Sequence, residues 1–386
     1  MKVVFEGVSF DVQPRAPRER RVAVAQDNSP ELVALVLGAL ENGAEIVLQN
    51  TRVTNLERAL QIDSIERIPP AGEPAAILFT SGTTGAPKAA RLGRENLEAS
   101  ARAAIEILEI DESSRFLCAM PLFHTGGLGI AIRCRLANAT MLLHERFDAH
   151  AVARELQGGA THASLVANTL ARVLDVCDEF PPGVKAILVG GGPVPQPLLD
   201  RARKAGLPVL HTYGLTETAS MATCERLGDA DGTTAGPPIP GMQVRVIKGE
   251  IEVRGASVMR GYLGAEPVRG WFSTGDLGEL DARGRLIVHA RRTDLIVSGG
   301  ENVYPAEVEA ALLAHPLVRE AAVLPAPDAR WGQVGVAYVS TTAAESDLRA
   351  FLRDRIAKFK VPARFVVVAE LPRNAAGKVD RSRLQG

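Results

Sequence analysis

The chain has 386 residues, 46% hydrophobic and 23% charged, the composition of an ordinary globular protein long enough for two or three domains. Its 44 lysines and arginines balance 45 acids, so no overall field draws it to nucleic acid or an anionic membrane, and any anion site has to be local. Cys118, Cys134, Cys177 and Cys224 form no CxxC pair, which leaves no zinc or disulfide framework legible and fits a reducing cytoplasm.

Lys2 to Val12 alternates apolar and polar residues around Gly7, as two short strands joined by a turn do. Arg15 to Arg21 is a charged connector, and Val22 to Ala25 reads as a strand. Asn28-Ser29-Pro30-Glu31 then supplies capping side chains, a proline for the first helical position and an early acid, which predicts a helix ending near Asn42-Gly43. Its apolar run, Leu32 to Leu40, is too short to cross a bilayer and reads as core; no signal pattern precedes it. Ala44 to Leu48 is the next strand, and the alternation of strand and helix predicts parallel α/β layers.

Ala76 to Lys88, AILFTSGTTGAPK, is a buried strand running into a polar, glycine-rich loop. Thr80, Ser81, Gly82, Thr83, Thr84 and Gly85 offer hydroxyls and unshielded N–H groups, and Lys88 adds a positive charge, the equipment of a phosphate cradle. It is not a Walker loop, because Ala86 and Pro87 separate Gly85 from Lys88 and Ala89 follows, leaving no hydroxyl beside the lysine. A polar surface turn is the plain alternative.

Asn96 to Glu109 has helical periodicity. Phe116 to Met120, Ala160 to Val166, Ala186 to Val189 and Pro208 to Leu210 read as strands. Gly190-Gly191-Gly192-Pro193 and His211-Thr212-Tyr213-Gly214-Leu215-Thr216-Glu217 follow the last two, and loops at strand ends are where open α/β sheets bind ligands, so a shared crevice is expected. From Gly236 the texture becomes all-β, with strands at Gln243 to Ile247 and Glu250 to Val253 and an end at Trp271-Phe272-Ser273-Thr274-Gly275-Asp276. Beyond Arg291 a compact α+β unit begins, giving domains 1–290 and 291–386.

The glycine-rich loop, with YGLTE (Tyr213 to Glu217), STGD (Ser273 to Asp276), RRTDLIVSGGENVYPAEVE (Arg291 to Glu309) and LPRNAAGK (Leu371 to Lys378), resembles the adenylate-forming acyl-CoA synthetase superfamily, motif for motif and in order. PLFHTGGLGIAIR (Pro121 to Arg133), THASLVANTLARVL (Thr161 to Leu174) and RIAKFKVPARFVVVAELPRNAAGK (Arg355 to Lys378) look most like its 2-succinylbenzoate–CoA ligase branch. The resemblance implies an α/β fold: a large N-terminal domain of layered α/β subdomains with a small β segment, then a small mobile α+β domain. The glycine-rich loop comes early for that family, so a shortened N-terminal portion is expected.

By this resemblance the substrates are a carboxylic acid, ATP and CoA, with Mg2+, and a homodimer is allowed. The chemistry joins two anions, a carboxylate and the α-phosphate, so charge neutralisation and alignment carry it. The resemblance implies that Thr80 to Gly85 and Lys88 hold the β- and γ-phosphates, that Glu217 carries Mg2+ with Thr84 nearby, and that Thr216 faces the α-phosphate. Gly191, Gly192 and Pro193 would stack adenine opposite Tyr213, while Asp276 and Arg291 would hold the ribose. Lys378 resembles the mobile lysine of adenylation, His124 the gate residue, and Gly299 and Gly300 the path of CoA's thin thiol arm.

His124, Thr125, Arg133, Ser164 and Gly214 would line the acyl pocket. Gly126, Gly129, Ile130 and Arg133 share one face if Gly127 to Leu136 is helical, and an arginine in so apolar a helix needs an anion, from substrate or from a protein acid. At the hinge, Thr293 stands where many relatives carry Asp or Lys. Each assignment has a plain counterpart: a helix-start acid for Glu217, a turn for Asp276, a surface residue for Arg291, a solvated side chain for Lys378, a capping or core histidine for His124. As rivals in function stand a ligase for another aryl or short acyl acid, a carrier-loading adenylation module, and an inactive acyl- or nucleotide-binding protein.

Overall fold

The computed structural model describes residues 1–384 except 52, 54, 81–87, 193, 292–293, 299–300, 329–330, 357 and 375–377, and the side chains of 56–57, 290–291, 297 and 301–302 are likewise outside the description. The N-terminal alternation forms the expected hairpin: β1 (Lys2–Phe5) and β2 (Val8–Asp11) pair antiparallel, with Gly7 at φ +78 in the turn. After β3 (Arg21–Val24), α1 (Pro30–Glu41) starts where its signals predict, the Ser29 hydroxyl accepting a hydrogen bond from Leu32 N at 3.1 Å. Next come β4 (Glu45–Leu48), α2 (Asn55–Glu66), β5 (Ala75–Thr80), β6 (Lys88–Gly93) and α3 (Arg94–Leu108).

Strands β3, β4 and β5 are parallel, but β6 returns antiparallel to β5. The glycine-rich stretch therefore joins two hydrogen-bonded neighbours instead of leading a strand directly into a helix. Its two ends are fixed to each other by the Thr80–Lys88 pairing.

The second layer set alternates as expected: β7 (Arg115–Cys118), α4 (Thr125–Ala137), β8 (Thr140–Leu143), α5 (Ala149–Gln157), β9 (His162–Leu165), α6 (Ala167–Val176), β10 (Ala186–Val189), α7 (Gln196–Lys204), β11 (Val209–Tyr213) and β12 (Thr223–Cys224). They build an eight-stranded sheet in the order β12-β11-β10-β9-β7-β8-β1-β2, so the N-terminal hairpin closes an edge of this sheet. Alternate strand residues face opposite ways. Phe116 and Cys118 join the core shared with α1, α3, α4 and the first sheet, whereas Leu117 joins the core under α5, α6 and α7. Helix α2 covers the outer face of the first sheet through Ile62 and Ile65.

The all-β segment consists of β13 (Met242–Ile247), β14 (Glu250–Gly255), β15 (Gly261–Tyr262), β16 (Phe272–Leu280) and β17 (Leu286–Arg291). It does not stop at Asp276: Gly275 takes φ +75, the strand runs on past this irregular point to Leu280, and β17 returns along it. Strand β15 leaves this four-stranded sheet and pairs antiparallel with β6.

The last segment contains β18 (Ile296–Ser298), β19 (Glu301–Val303), α8 (Pro305–Leu313), β20 (Val318–Asp328), β21 (Gly332–Thr341), α9 (Glu345–Arg353) and β22 (Arg364–Val367). Its sheet has a core of its own, with Val323, Ala337 and Val339 against Val308 and Leu312 of α8 and Leu348 and Leu352 of α9. Among the described residues, no helix is long and apolar enough to cross a membrane. All four cysteines are free thiols.

Candidate active site

Because β10 and β11 are parallel neighbours, their C-terminal ends deliver Gly190–Gly192 and the Tyr213–Glu217 loop side by side. Gly190 has no room for a side chain, since a β-carbon would lie 2.6 Å from the Thr212 carbonyl oxygen. Tyr213, the last residue of β11, is buried, and its hydroxyl donates to Asp276 Oδ2 at 2.8 Å. Asp276 is itself buried within β16, and the β16–β17 register sets it opposite Arg291. The YGLTE, STGD and RRTD motifs thus meet at one place. The Arg291 side chain and Pro193 lie outside the described residues.

Lys378 arrives at the same place from the far end of the chain. A β-carbon on Gly191 would lie 3.6 Å from Lys378 Cε and 3.9 Å from its Nζ. The lysine's own backbone is held by Asn374: Lys378 N donates to Asn374 Oδ1 at 3.1 Å, and Asn374 N donates to the Lys378 carbonyl at 2.8 Å. This places a flexible cation over the flat Gly191 backbone.

Thr80 and Lys88 mark the mouth of the glycine-rich stretch, with Thr80 Oγ1 donating to the Lys88 carbonyl at 3.4 Å. Ser81, Gly82, Thr83, Thr84 and Gly85 lie outside the described residues, as do Thr293 at the hinge and Gly299 and Gly300 on the expected CoA path. Glu217 sits in a single 3-10 turn, Thr216–Thr218, is 9% exposed, and accepts a hydrogen bond from the Tyr262 hydroxyl at 2.7 Å. Thr216 beside it is half-buried. The ammonium of Lys88 lies 5.1 Å from the centre of the Tyr262 ring. Tyr262 carries no recognisable motif signal, and sequence reasoning missed it.

Of the residues expected at the acyl pocket, His124 stands at the N-cap position of α4 and packs edge-on against Phe123 at 4.8 Å, followed by buried Thr125. Ser164 on β9 is 7% exposed, and its hydroxyl oxygen is buried with no hydrogen-bond partner. Gly214 must be glycine because a β-carbon would collide with the Ser220 carbonyl oxygen. Helix α4 does hold Gly129 and Arg133 on one face: a β-carbon at Gly129 would lie 3.3 Å from Arg133 Nη2.

Arg133 is 1% exposed. Its Nη2 donates to Ser220 Oγ at 3.3 Å, its Nε is buried without a hydrogen-bond partner, and the Phe116 ring centre is 6.0 Å away. Among the described residues no acid forms an ion pair with it. Burial lowers the guanidinium to about 10. Its titratable neighbours are thiols that cannot offset the charge: burial pushes Cys118 and Cys224 up to about 12, and Cys134 upward as well. A buried cation without a carboxylate is costly, and an anionic ligand would relieve that cost.

Residues 61–263 match the family model described as AMP-binding enzyme, and residues 307–378 match its companion, AMP-binding enzyme C-terminal domain. The chain belongs to the AMP-binding enzyme family. This AMP-binding enzyme is 36% identical to the 2-succinylbenzoate–CoA ligase of Bacillus pumilus, over 94% of its own length and 87% of the relative's. Its fold matches the o-succinylbenzoate CoA synthetase of Bacillus subtilis in complex with the acyl-adenylate intermediate OSB-AMP, with a TM-score of 0.87, 31% identity, and coverage of 100% of this chain and 95% of that one. A double mutant of that synthetase bound to the product analogue OSB-NCoA matches with a TM-score of 0.69 at 31% identity, covering 99% of this AMP-binding enzyme and 95% of that chain.

Proposed function

We propose that this chain is an ATP-dependent, AMP-forming ligase that activates 2-succinylbenzoate as its acyl-adenylate and passes the acyl group to CoA, a step of menaquinone biosynthesis, in the cytoplasm. The observation that carries the choice of acid is Arg133, a buried guanidinium with no protein acid paired to it among the described residues. A substrate with a second carboxylate supplies the missing anion, directly or through a water.

In the first half-reaction a carboxylate oxygen attacks the α-phosphorus and diphosphate leaves. Lys378 brings positive charge to the meeting point of the two anions, while Tyr213 and Asp276 hold the nucleoside and fix the attack geometry. In the second, the CoA thiol, losing its proton, attacks the acyl carbonyl and AMP leaves. The donor set fits Mg2+, which takes one or two carboxylates and otherwise keeps water and substrate phosphates: Glu217 is a buried carboxylate held in place by Tyr262, and Glu217 with Thr84 would hold the ion. When bound, Mg2+ supplies neutralisation of the diphosphate leaving group.

The large domain is assigned to 1–290 and the lid to 291–386. The higher TM-score against the adenylate-bound relative than against the one with the product analogue supports reading the approach of Lys378 to Gly191 as the adenylation arrangement. The lid then turns for thiol attack and presents Gly299 and Gly300.

The test is diphosphate release from ATP with a panel of carboxylic acids, with and without CoA. Release that is greatest with 2-succinylbenzoate, and thioester only when CoA is added, is the expected result. A better acid in the panel overturns the substrate, and no release with any acid overturns the ligase.

A further inference from the structure

The segment 256–268 leaves the all-β sheet and threads between the two charged parts of the site. Its β15 strand pairs with β6, Tyr262 standing opposite Ala90, and Leu263 N donates to the Ala89 carbonyl at 2.8 Å. Ahead of Tyr262 in the chain, Met259 N donates to the Glu217 carbonyl at 2.8 Å. One short stretch is therefore hydrogen-bonded both to the strand that carries Lys88 and to the turn that carries Glu217. Gly261, at φ +146, is the residue that lets the backbone enter this pairing.

Within that frame Tyr262 touches both charges. Its hydroxyl donates to Glu217 Oε1 at 2.7 Å, and its ring lies beneath the Lys88 ammonium at 5.1 Å. A hydrogen bond to one carboxylate oxygen restricts the carboxylate's rotation, while Oε2 remains to serve as a ligand. A ring under an ammonium holds the cation by the quadrupole without neutralising it. The two opposite charges are thereby both tied to a neutral side chain, and among the described residues no ion pair joins Lys88 to Glu217.

We propose that Tyr262 is a positioning residue for the metal–nucleotide complex: its hydroxyl orients Glu217 toward a divalent cation, and its ring keeps Lys88 available to phosphate instead of to Glu217. This rests on the ligase reading, in which Glu217 faces Mg2+ and Lys88 faces the β- and γ-phosphates.

Equilibrium binding separates the two roles. ATP affinity is measured by calorimetry in EDTA and across a Mg2+ titration, and Mn2+ bound in the presence of ATP is counted by electron paramagnetic resonance. Tyr262→Phe keeps the ring and loses the hydroxyl. Divalent-cation affinity of its ATP complex is expected to fall about tenfold, the loss of one hydrogen bond to a charged group, with ATP binding in EDTA unchanged. Excess Mg2+ should then restore its kcat. Tyr262→Leu removes both contacts and is expected to weaken ATP binding in EDTA as well.

Cation affinity of Tyr262→Phe within twofold of wild type overturns the orienting role, and so does an equal loss with and without metal. ATP binding by Tyr262→Leu in EDTA that matches wild type overturns the role of the ring. Wild-type protein that binds no ATP under any condition overturns the ligase reading, and this inference with it.

Discussion

The Tyr213 hydroxyl donates to Asp276 Oδ2 at 2.8 Å, joining residues 63 positions apart in the chain. Both are buried, so the hydrogen bond holds the carboxyl group where water does not compete. Tyr213→Phe is expected to reduce kcat/KM for ATP about tenfold, roughly 1.5 kcal/mol, through KM more than kcat, because the proposed ribose contact forms before the chemistry. Initial rates over an ATP titration check this, and a fall in kcat at unchanged KM contradicts it.

Lys378 stands over Gly191, on the side of the site where the α-phosphate is expected. Lys378→Ala should abolish acyl-adenylate formation yet leave conversion of supplied acyl-adenylate and CoA to thioester close to wild type, since the proposed mechanism displaces the lysine in the second step. Separate half-reaction assays measure this. Equal loss of both would mean that the lysine serves the fold.

Arg133→Leu distinguishes a substrate contact from a structural cation. With 2-succinylbenzoate, kcat/KM should drop about ten- to a hundredfold, the range for a lost hydrogen bond to a charged group. With the analogue lacking the ring carboxylate the change should be small. If both substrates slow equally, Arg133 is structural and the case for this acid loses its physical support.

One buried and one half-buried histidine make stability fall on the acid side. His162 is fully buried, with Nε2 at 2.9 Å from the Leu108 carbonyl and Nδ1 at 2.8 Å from Thr161 Oγ1; His211 Nδ1 lies 3.1 Å from the Thr234 carbonyl. Burial holds both below the ordinary histidine value. The unfolded chain then takes up protons near pH 6.5 that the native state refuses, so their contribution is complete above about pH 6.5 and is lost as pH falls through the native values. Linkage caps the slope at about 1.4 kcal/mol per pH unit for each histidine. Thermal unfolding from pH 8 to 5 should show this loss, and His162→Gln should flatten the curve; an unchanged curve would place the acid sensitivity elsewhere.

Gly214→Ala tests the backbone packing under the YGLTE loop. Its β-carbon would strike the Ser220 carbonyl, so the loop must shift, at a cost of about 1–3 kcal/mol. Denaturant unfolding reads the cost, and wild-type stability would mean that the loop adjusts freely.

Local signals sufficed for much of this protein. The Ser29-Pro30 helix start, the turn at Gly7 and the strand at Ala186–Val189 follow from capping, backbone freedom and apolar runs, which act within a few residues. The motifs likewise named Tyr213, Glu217, Asp276 and Lys378, because residue type and spacing are properties of the chain itself. Position along the chain does not reveal partners. That β6 folds back on β5, that the STGD residues sit inside a continuing strand, and that Tyr262 lies between Lys88 and Glu217 depend on sheet pairings between distant segments. The surroundings of Arg133 were decided the same way: periodicity put it on the face of Gly129, but only the packing of α4 against neighbouring elements determined which groups surround its charge.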